Sequence, residues 1–429
     1  MIFNNSKYNN DWEIKPLNAL GIFSRGKSKH RPRNDEVLFK NGKYPFIQTG
    51  NIKAADLFIR NHQENYNEIG LKQSKLWKTN TLCITIAANI AETALLGYPM
   101  CFPDSVVGFN ASIEKSSEIF MHYIFTYIKK NIQNSASGSI QDNINIEYLT
   151  GLKFRIPEKK YQDQIASVLS ALDAKIELNN RINAELEKMA KTLYDYWFVQ
   201  FDFPGKNGKP YKSSGGKMVW SEELKRKIPK AWSVEQISDS CRVVDCLHSK
   251  KPEYYYENEV YYLLQLNNLR EDNLLDTKNK YYVAKADYKK WTSRIEVQDG
   301  DILLTNAGRV ASMAQVQKGV LTGIGRNITA IRPESIDPTY LGYFFKGGDM
   351  LRQIQANTDT GSFFCSFNVY AIKKLYLLRA SEDIENQFVQ LAEPLRRKRE
   401  VIISENQKLT ELRDWLLPML MNGQVRVES

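Results

Sequence analysis

The chain says the same thing twice. Residues 137–152 (SGSIQDNINIEYLTGL) and 360–375 (TGSFFCSFNVYAIKKL) share a Gly-Ser, a later Asn followed by an aliphatic residue, and a closing Leu. Gly138 corresponds to Gly361 and Asn145 to Asn368, so the offset is 361 − 138 = 223. Three more pairs occur in the same order. Trp12-Glu-Ile matches Trp232-Ser-Val at an offset of 220, YPFIQTGNIK (44–53) matches YYLLQLNNLR (261–270) at 217, and NTLCITIAAN (80–89) matches GDILLTNAGR (300–309) at 220. Ordered repetition at this spacing means an internal duplication, which restricts the fold to two copies of one architecture.

The register of the repeat is uneven, and the unevenness is informative. From Ile165 a seam runs through Leu169, Leu172, Ile176, Asn179, Asn183, Leu186, Ala190, Leu193 and Trp197, alternately four and three residues apart. Adding 223 gives Phe388, Ala392, Leu395, Arg399, Ile402, Asn406, Leu409, Arg413, Leu416 and Leu420. This is a heptad seam of about nine helical turns, present in both halves. Surface loops absorb insertions, whereas one extra residue in a heptad helix rotates every later side chain off the seam. The constant offset therefore marks the helices as the part whose geometry matters.

Within the remaining segments, β-branched runs such as Leu82–Ile86 and Asp301–Thr305 read as buried strands, and residues 117–130 as a helix. The fold class expected is α+β: two similar globular domains joined by two long antiparallel heptad helices that form a coiled coil about a pseudo-two-fold axis. The divisions expected are a first domain over 1–157, a first helix over 158–200, an exposed linker over 201–230, a second domain over 231–380 and a second helix over 381–429. The linker reading rests on the Gly, Ser, Lys and Pro of FDFPGKNGKPYKSSGGKMVW (201–220).

Composition limits function. Hydrophobic content of 42% and charge of 25% are those of a globular protein, and no apolar run is long enough to span a membrane. Five cysteines without a CxxC pair and an N-terminus without a signal-peptide core suit a reducing cytoplasm. Four scattered histidines offer no expected metal site. A net charge of +10 suits a polyanionic partner such as double-stranded DNA. Two basic domains on a rod of about 50 Å would act as a caliper on DNA, whose half-sites recur every 34–36 Å or multiples of it. Because the halves have diverged, the two half-sites would differ.

This layout resembles the specificity subunit of type I restriction–modification systems. The stretches that carry the resemblance are YPFIQTGNIK (44–53), residues 84–109 (ITIAANIAETALLGYPMCFPDSVVGF), residues 158–220 from EKKYQDQIASVLSALDAKIELNN onward, and GDILLTNAGRV (300–310). The resemblance implies two target-recognition domains reading an asymmetric bipartite DNA site, no catalysis by the chain itself, and no bound cofactor. It further implies two modification (methyltransferase) subunits docked on the helices and two restriction (endonuclease and translocase) subunits, with S-adenosylmethionine, ATP and Mg belonging to those partners. The residues agree: there is no Asn/Asp-Pro-Pro-aromatic loop for a flipped adenine and no phosphate-binding GxxxxGK[ST] loop, and Glu114-Lys115 lacks the spacing of a nuclease metal site. A coiled-coil adaptor with two protein-binding domains, or the recognition module of a related restriction system, are the alternatives.

Candidate DNA contacts follow from side-chain chemistry. Arg25, Lys27, Lys29, Arg31 and Arg33 in RGKSKHRPR form a patch suited to phosphate, or a solvated basic loop. Gln48, Asn51 and Lys53, with their equivalents Gln265, Asn268 and Arg270, follow a predicted strand in each half, where polar forks can read base edges; ordinary turn formation is the other reading of the two asparagines. Arg309 and Arg326 are further candidates, and Ser139 and Ser362 either contact phosphate or shape a turn. On the helices, Leu186 and Leu409 are expected to pack, and Asn183 and Asn406 to meet across the seam. If helix length sets the gap between half-sites, one heptad inserted in the first helix lengthens it by about 10 Å, or about three base pairs. The expected outcome is a methylated motif whose spacer grows by that amount; unchanged spacing with retained activity would exclude the caliper.

Overall fold

The computed structural model describes residues 2–427 other than 138–143, 206, 258, 271–272, 308 and 361–364. Two compact units divide the chain: residues 1–180 with 405–429, and residues 181–404. Two long helices, Lys159–Tyr194 and Glu382–Met421, each contribute to both units. Among the described residues no helix is long and apolar enough to cross a membrane.

The first unit is built on a sheet whose strands lie in the order Gly21–Arg25, Val106–Ala111, Leu82–Thr85, Thr93–Leu96 and Phe58–Ile59. Leu82–Thr85 and Thr93–Leu96 are buried along their whole length, which is why they read as continuous apolar runs rather than alternating ones. The helix Glu118–Ser137 covers the sheet through Phe120, Met121 and Ile124, and Ile165, Leu169, Leu417 and Leu420 of the long helices close the same core. A two-stranded ladder of Glu13–Pro16 with Lys153–Ile156 leads into the first long helix.

The second unit repeats this plan. Its sheet runs Cys241–Asp245, Ile328–Pro333, Ile302–Thr305, Met313–Gln315, and Ser233–Gln236 pairs with Tyr376–Arg379 as the equivalent ladder. Even the hairpin loops match. Thr85 donates its hydroxyl to the Asn89 carbonyl and Thr305 to the Arg309 carbonyl, while Ala91 and Ala311 both adopt left-handed backbone, at φ +60° and +67°. The asparagines of the opening motif are helix caps: Asn145 Oδ1 accepts from the Tyr148 amide at 2.7 Å and Asn368 Oδ1 from the Tyr370 amide at 2.8 Å. The serines of that motif, Ser139 and Ser362, lie outside the described residues.

The segment expected to be an exposed linker is packed in part: Phe201 and Phe203 are buried, while residues 207–209 and 212–215 are exposed. Phe203 stacks between Tyr211 and Trp232 at centroid distances of 4.7 and 4.9 Å, and Phe201 meets the edge of Trp232 and the guanidinium of Arg226. Met218–Ser221 and Arg226–Pro229 then pair as a ladder. The polar composition was outweighed by two phenylalanines with an aromatic partner waiting, a pairing worth about 0.5–1.5 kcal/mol per contact beyond area.

The seam is buried or half-buried at every position of the first long helix from Ile165 to Trp197, Leu186 included, and Leu409 on the second is half-buried. Its two arginines are explained by partners. In the first unit Arg413 donates to Asp173 Oδ1 at 2.7 Å while Tyr123, from the sheet-covering helix, donates to Asp173 Oδ2 at 2.5 Å. Burial opposes the Arg413 charge, and the Asp173 hydrogen bond more than offsets it, so its pKa lies above the ordinary value. In the second unit Arg399 pairs with Glu187, which also holds Lys346 at 2.8 Å and Tyr343 at 3.4 Å. The expected meeting of Asn183 with Asn406 does not occur. Asn406 accepts from Asn179 and donates to Asn180, both at 2.8 Å, one turn before Asn183, whose own Oδ1 is buried without a partner. Equating the midpoints of the two helices placed the crossing about one turn too far along.

Asp173 is 5% exposed, so removing its cation leaves a nearly buried carboxylate with only a phenol beside it. Arg413→Met is expected to lower unfolding free energy by about 3 kcal/mol, and Asp173→Asn in the same chain to recover part of that loss. Denaturant titration of the single and double variants measures both.

Candidate DNA-recognition surfaces

In each unit the strand expected to precede the polar fork is followed by a short helix, the α-helix Thr49–Ala54 in the first and the 3-10 turn Leu266–Asn268 in the second, whose start is capped by its own asparagine. The Gln48 amide donates to Asn51 Oδ1 at 2.9 Å, and the Gln265 amide to Asn268 Oδ1 at 2.7 Å. Asn268 goes further: its side-chain NH₂ donates to the Asp276 and Asn279 carbonyls at 2.7 and 3.0 Å, and the residue is 3% exposed. Asn268 has therefore spent its donors on the loop and is a shaping residue, not a base reader. Asn51 plays the same capping part.

The turn brings other candidates together. In the first unit Gln48 is exposed and donates its side-chain amide to Glu64 at 2.9 Å, and Lys53 Nζ donates to Asn89 Oδ1 at 3.1 Å in the hairpin loop. In the second, the Arg309 guanidinium, from the equivalent hairpin loop, donates to the carbonyls of Leu266 and Leu269, bracing the turn; Arg270 is exposed at its end. Gln265 and Arg326 both line a cleft of about 730 Å³ with Lys251, Tyr254, Asn267 and Tyr281. Lys251 lies 3.8 Å from the Tyr281 ring centroid, a cation–π contact that fixes the charge at the rim. Sequence reasoning missed Lys251, Tyr254, Asn267 and Tyr281. The density of Lys and Tyr in KKPEYYY (250–256) was the available signal.

The basic loop of the first unit is less free than its composition implies. Arg25 Nε donates to the Asp104 carbonyl at 2.5 Å, while Arg33 and Arg31 reach the Asp104 carboxylate at 2.7 and 3.6 Å. Arg31 also donates to the carbonyls of Ser28 and His30. Three of the five cations are thus gathered on one aspartate. Lys27 and Lys29 are exposed and their ammonium groups make no contact with the described residues; the backbone amide of Lys29 is anchored on Gln73 at 2.7 Å, which presents the loop outward.

Against expectation, one group of potential metal ligands exists among the described residues. Asp245, Cys246 and His248 lie together at the end of a sheet strand. The His248 ring sits 2.6 Å from the Asp245 carboxylate, and burial pushes the Cys246 thiol pKa up, which favours the uncharged thiol. A hydrogen-bonded histidine and aspartate beside a buried thiol account for the cluster.

Comparison with known proteins agrees with this geometry. Residues 9–188 match the family described as the type I restriction modification DNA specificity domain. Over nearly its whole length the chain aligns with the MjaIX specificity subunit of Methanocaldococcus jannaschii, at 23% identity over 98% of this chain and 94% of that one. The HindI specificity subunit of Haemophilus influenzae is likewise 23% identical, over 92% and 97%. Among solved structures, the S subunit of a type I restriction–modification system from M. genitalium superposes over the full length of both chains with a TM-score of 0.60 at 15% identity, a likeness of fold. Residues 9–188 are thus similar to a DNA specificity domain, and nearly the whole chain is similar to named specificity subunits of type I restriction enzymes.

With Lys27 and Lys29 the free cations of the basic loop, the Lys27→Ala/Lys29→Ala variant is expected to bind target and non-target DNA more weakly by similar factors. Its salt dependence should fall by about two units in the log–log slope. Binding titrations at several salt concentrations measure this, and the methylated motif should stay the same.

Proposed function

We propose that each unit reads one half of an asymmetric, bipartite DNA target, and that the two long helices dock two methyltransferase subunits, to which two restriction subunits add. In this reading S-adenosylmethionine, ATP and Mg are bound by those partners, the chain binds none of them, and the complex works in the cytoplasm. The observation that carries the reading is one framework presented twice with different rims. The sheet order, the hairpin loops, the capping asparagines and the glutamine before them repeat, whereas other rim side chains do not: Asn89 in the first unit stands against Arg309 in the second, and Asp104 against Arg326. A common scaffold with divergent polar edges is what two different half-sites require, since sequence is read by base-edge contacts and register is set by phosphate contacts. The whole-length match to specificity subunits favours this over a protein adaptor.

Exchanging residues 1–157 for those of a relative with another target is the test. The methylome of a host carrying the chimaera is expected to show one half-site replaced and the other retained. A change in both half-sites would exclude independent reading by the two units.

A further inference from the structure

A side chain that reads a base must keep its donors unspent until DNA arrives. In and beside the second unit's cleft several polar groups fail that condition. Asn268 is consumed by its loop, Arg309 braces the turn, and Lys251 rests on Tyr281. Arg326 meets it. The residue is exposed, and its guanidinium makes no hydrogen bond or ion pair with any described residue. It sits between Gly325 and the strand Ile328–Pro333, so its backbone is fixed by the sheet. Gly325 has a specific reason to be glycine there: a Cβ would stand 2.6 Å from the Gln265 side-chain nitrogen and 2.7 Å from the Leu264 carbonyl. The close approach sets Arg326 beside Gln265 on one rim.

The duplication sharpens the point. Val106–Ala111 and Ile328–Pro333 pair with the first strand of their sheets in matching register, Gly21 opposite Ala111 and Cys241 opposite Pro333. Their offset, 333 − 111 = 222, places Asp104 at the position of Arg326. In the first unit that position is an acid that gathers Arg31 and Arg33. In the second it is an arginine with no partner among the described residues. The same framework site thus carries opposite charge in the two halves, and in the second its charge faces the cleft.

We propose that Arg326 reads a guanine in the second half-site through its bidentate fork to O6 and N7, the commonest specific contact of arginine in a major groove. Asn267, exposed on the same cleft and also without a side-chain partner among the described residues, offers the fork that suits an adjoining adenine. The assignment rests on the DNA-reading function proposed above, and its test separates the two.

Binding is measured with the complex on duplex target in which each guanine of the second half-site is replaced in turn by 7-deazaguanine, which lacks the N7 acceptor. One replacement is expected to weaken the wild-type complex about tenfold, within the range for loss of a good bidentate contact. The Arg326→Ala complex should bind less tightly but show no sensitivity to that replacement, and its methylated motif should become degenerate at that one position. Arg326→Lys, which keeps the charge and loses the fork, should also relax the motif. Uniform weakening with the motif intact would make Arg326 a phosphate contact and overturn the assignment, as would equal 7-deazaguanine sensitivity in wild type and Arg326→Ala. If the wild-type complex methylates a bipartite target but no guanine of the second half-site is sensitive, Arg326 is wrong and the DNA reading stands. If the wild type recognises no bipartite target, both fall.

Discussion

A carboxylate on the first long helix, bound at once by an arginine of the second and by a tyrosine from the sheet-covering layer, is the interaction on which each unit depends. In the first unit the set is Asp173, Arg413 and Tyr123; in the second it is Glu187, Arg399 and Tyr343, with Lys346 added. A heptad seam of leucines alone would tolerate slippage by a turn or rotation against its neighbours. A nearly buried charge does not, because a displaced carboxylate loses its cation in surroundings where water cannot replace it. Tyr123 and Tyr343 are equivalent at an offset of 220, yet the carboxylates they reach are not equivalent by the helix offset. The two units therefore arrived at the same three-way contact through different helix residues.

The same network explains why the second seam looks impure. Arg399 and Arg413 interrupt an otherwise apolar pattern, and as sequence they weaken the case for a packed helix. In the structure they are the residues that bind across the helices, and their alkyl stems bury along the apolar stripe as long cationic side chains do. A histidine near the first of these pairs, His122, is held uncharged by burial, its pKa lowered to about 4, and shares a hydrogen bond with Thr93 at 2.9 Å.

Much of the fold was legible because it repeats. The duplication, the long helices, the buried strands near Leu82 and Ile302, and the α+β class follow from offsets and periodicity, which are properties of local sequence. What escaped was pairing at long range. The aromatic stack of Phe203 on Trp232 could not be read from a segment rich in Gly and Lys, and the crossing of Asn406 with Asn179 and Asn180 depends on where two helices meet rather than on either alone. The recognition surface was partly legible. Gln265 and Arg326 converge on one cleft, but Asn51 and Asn268 serve their own loops. Arg25, Arg31 and Arg33 are turned toward Asp104, an acid 79 residues from the first of them along the chain. Side-chain type suggested which residues hold donors; only geometry tells whether the donors are already in use.

The hairpin loops after Leu82–Thr85 and Ile302–Thr305 have a bearing on how such proteins diversify. Each is pinned at its base by backbone hydrogen bonds and one threonine hydroxyl, from Thr85 to the Asn89 carbonyl and from Thr305 to the Arg309 carbonyl. A carbonyl is the same whatever side chain stands beside it. Asn at one loop and Arg at the other therefore hang from the same peg, and the loop geometry is indifferent to the exchange. Residues on such a peg can change identity without removing the hydrogen bond that holds the loop, and each is left to make contacts of its own, Asn89 with Lys53 and Arg309 with the Leu266 and Leu269 carbonyls.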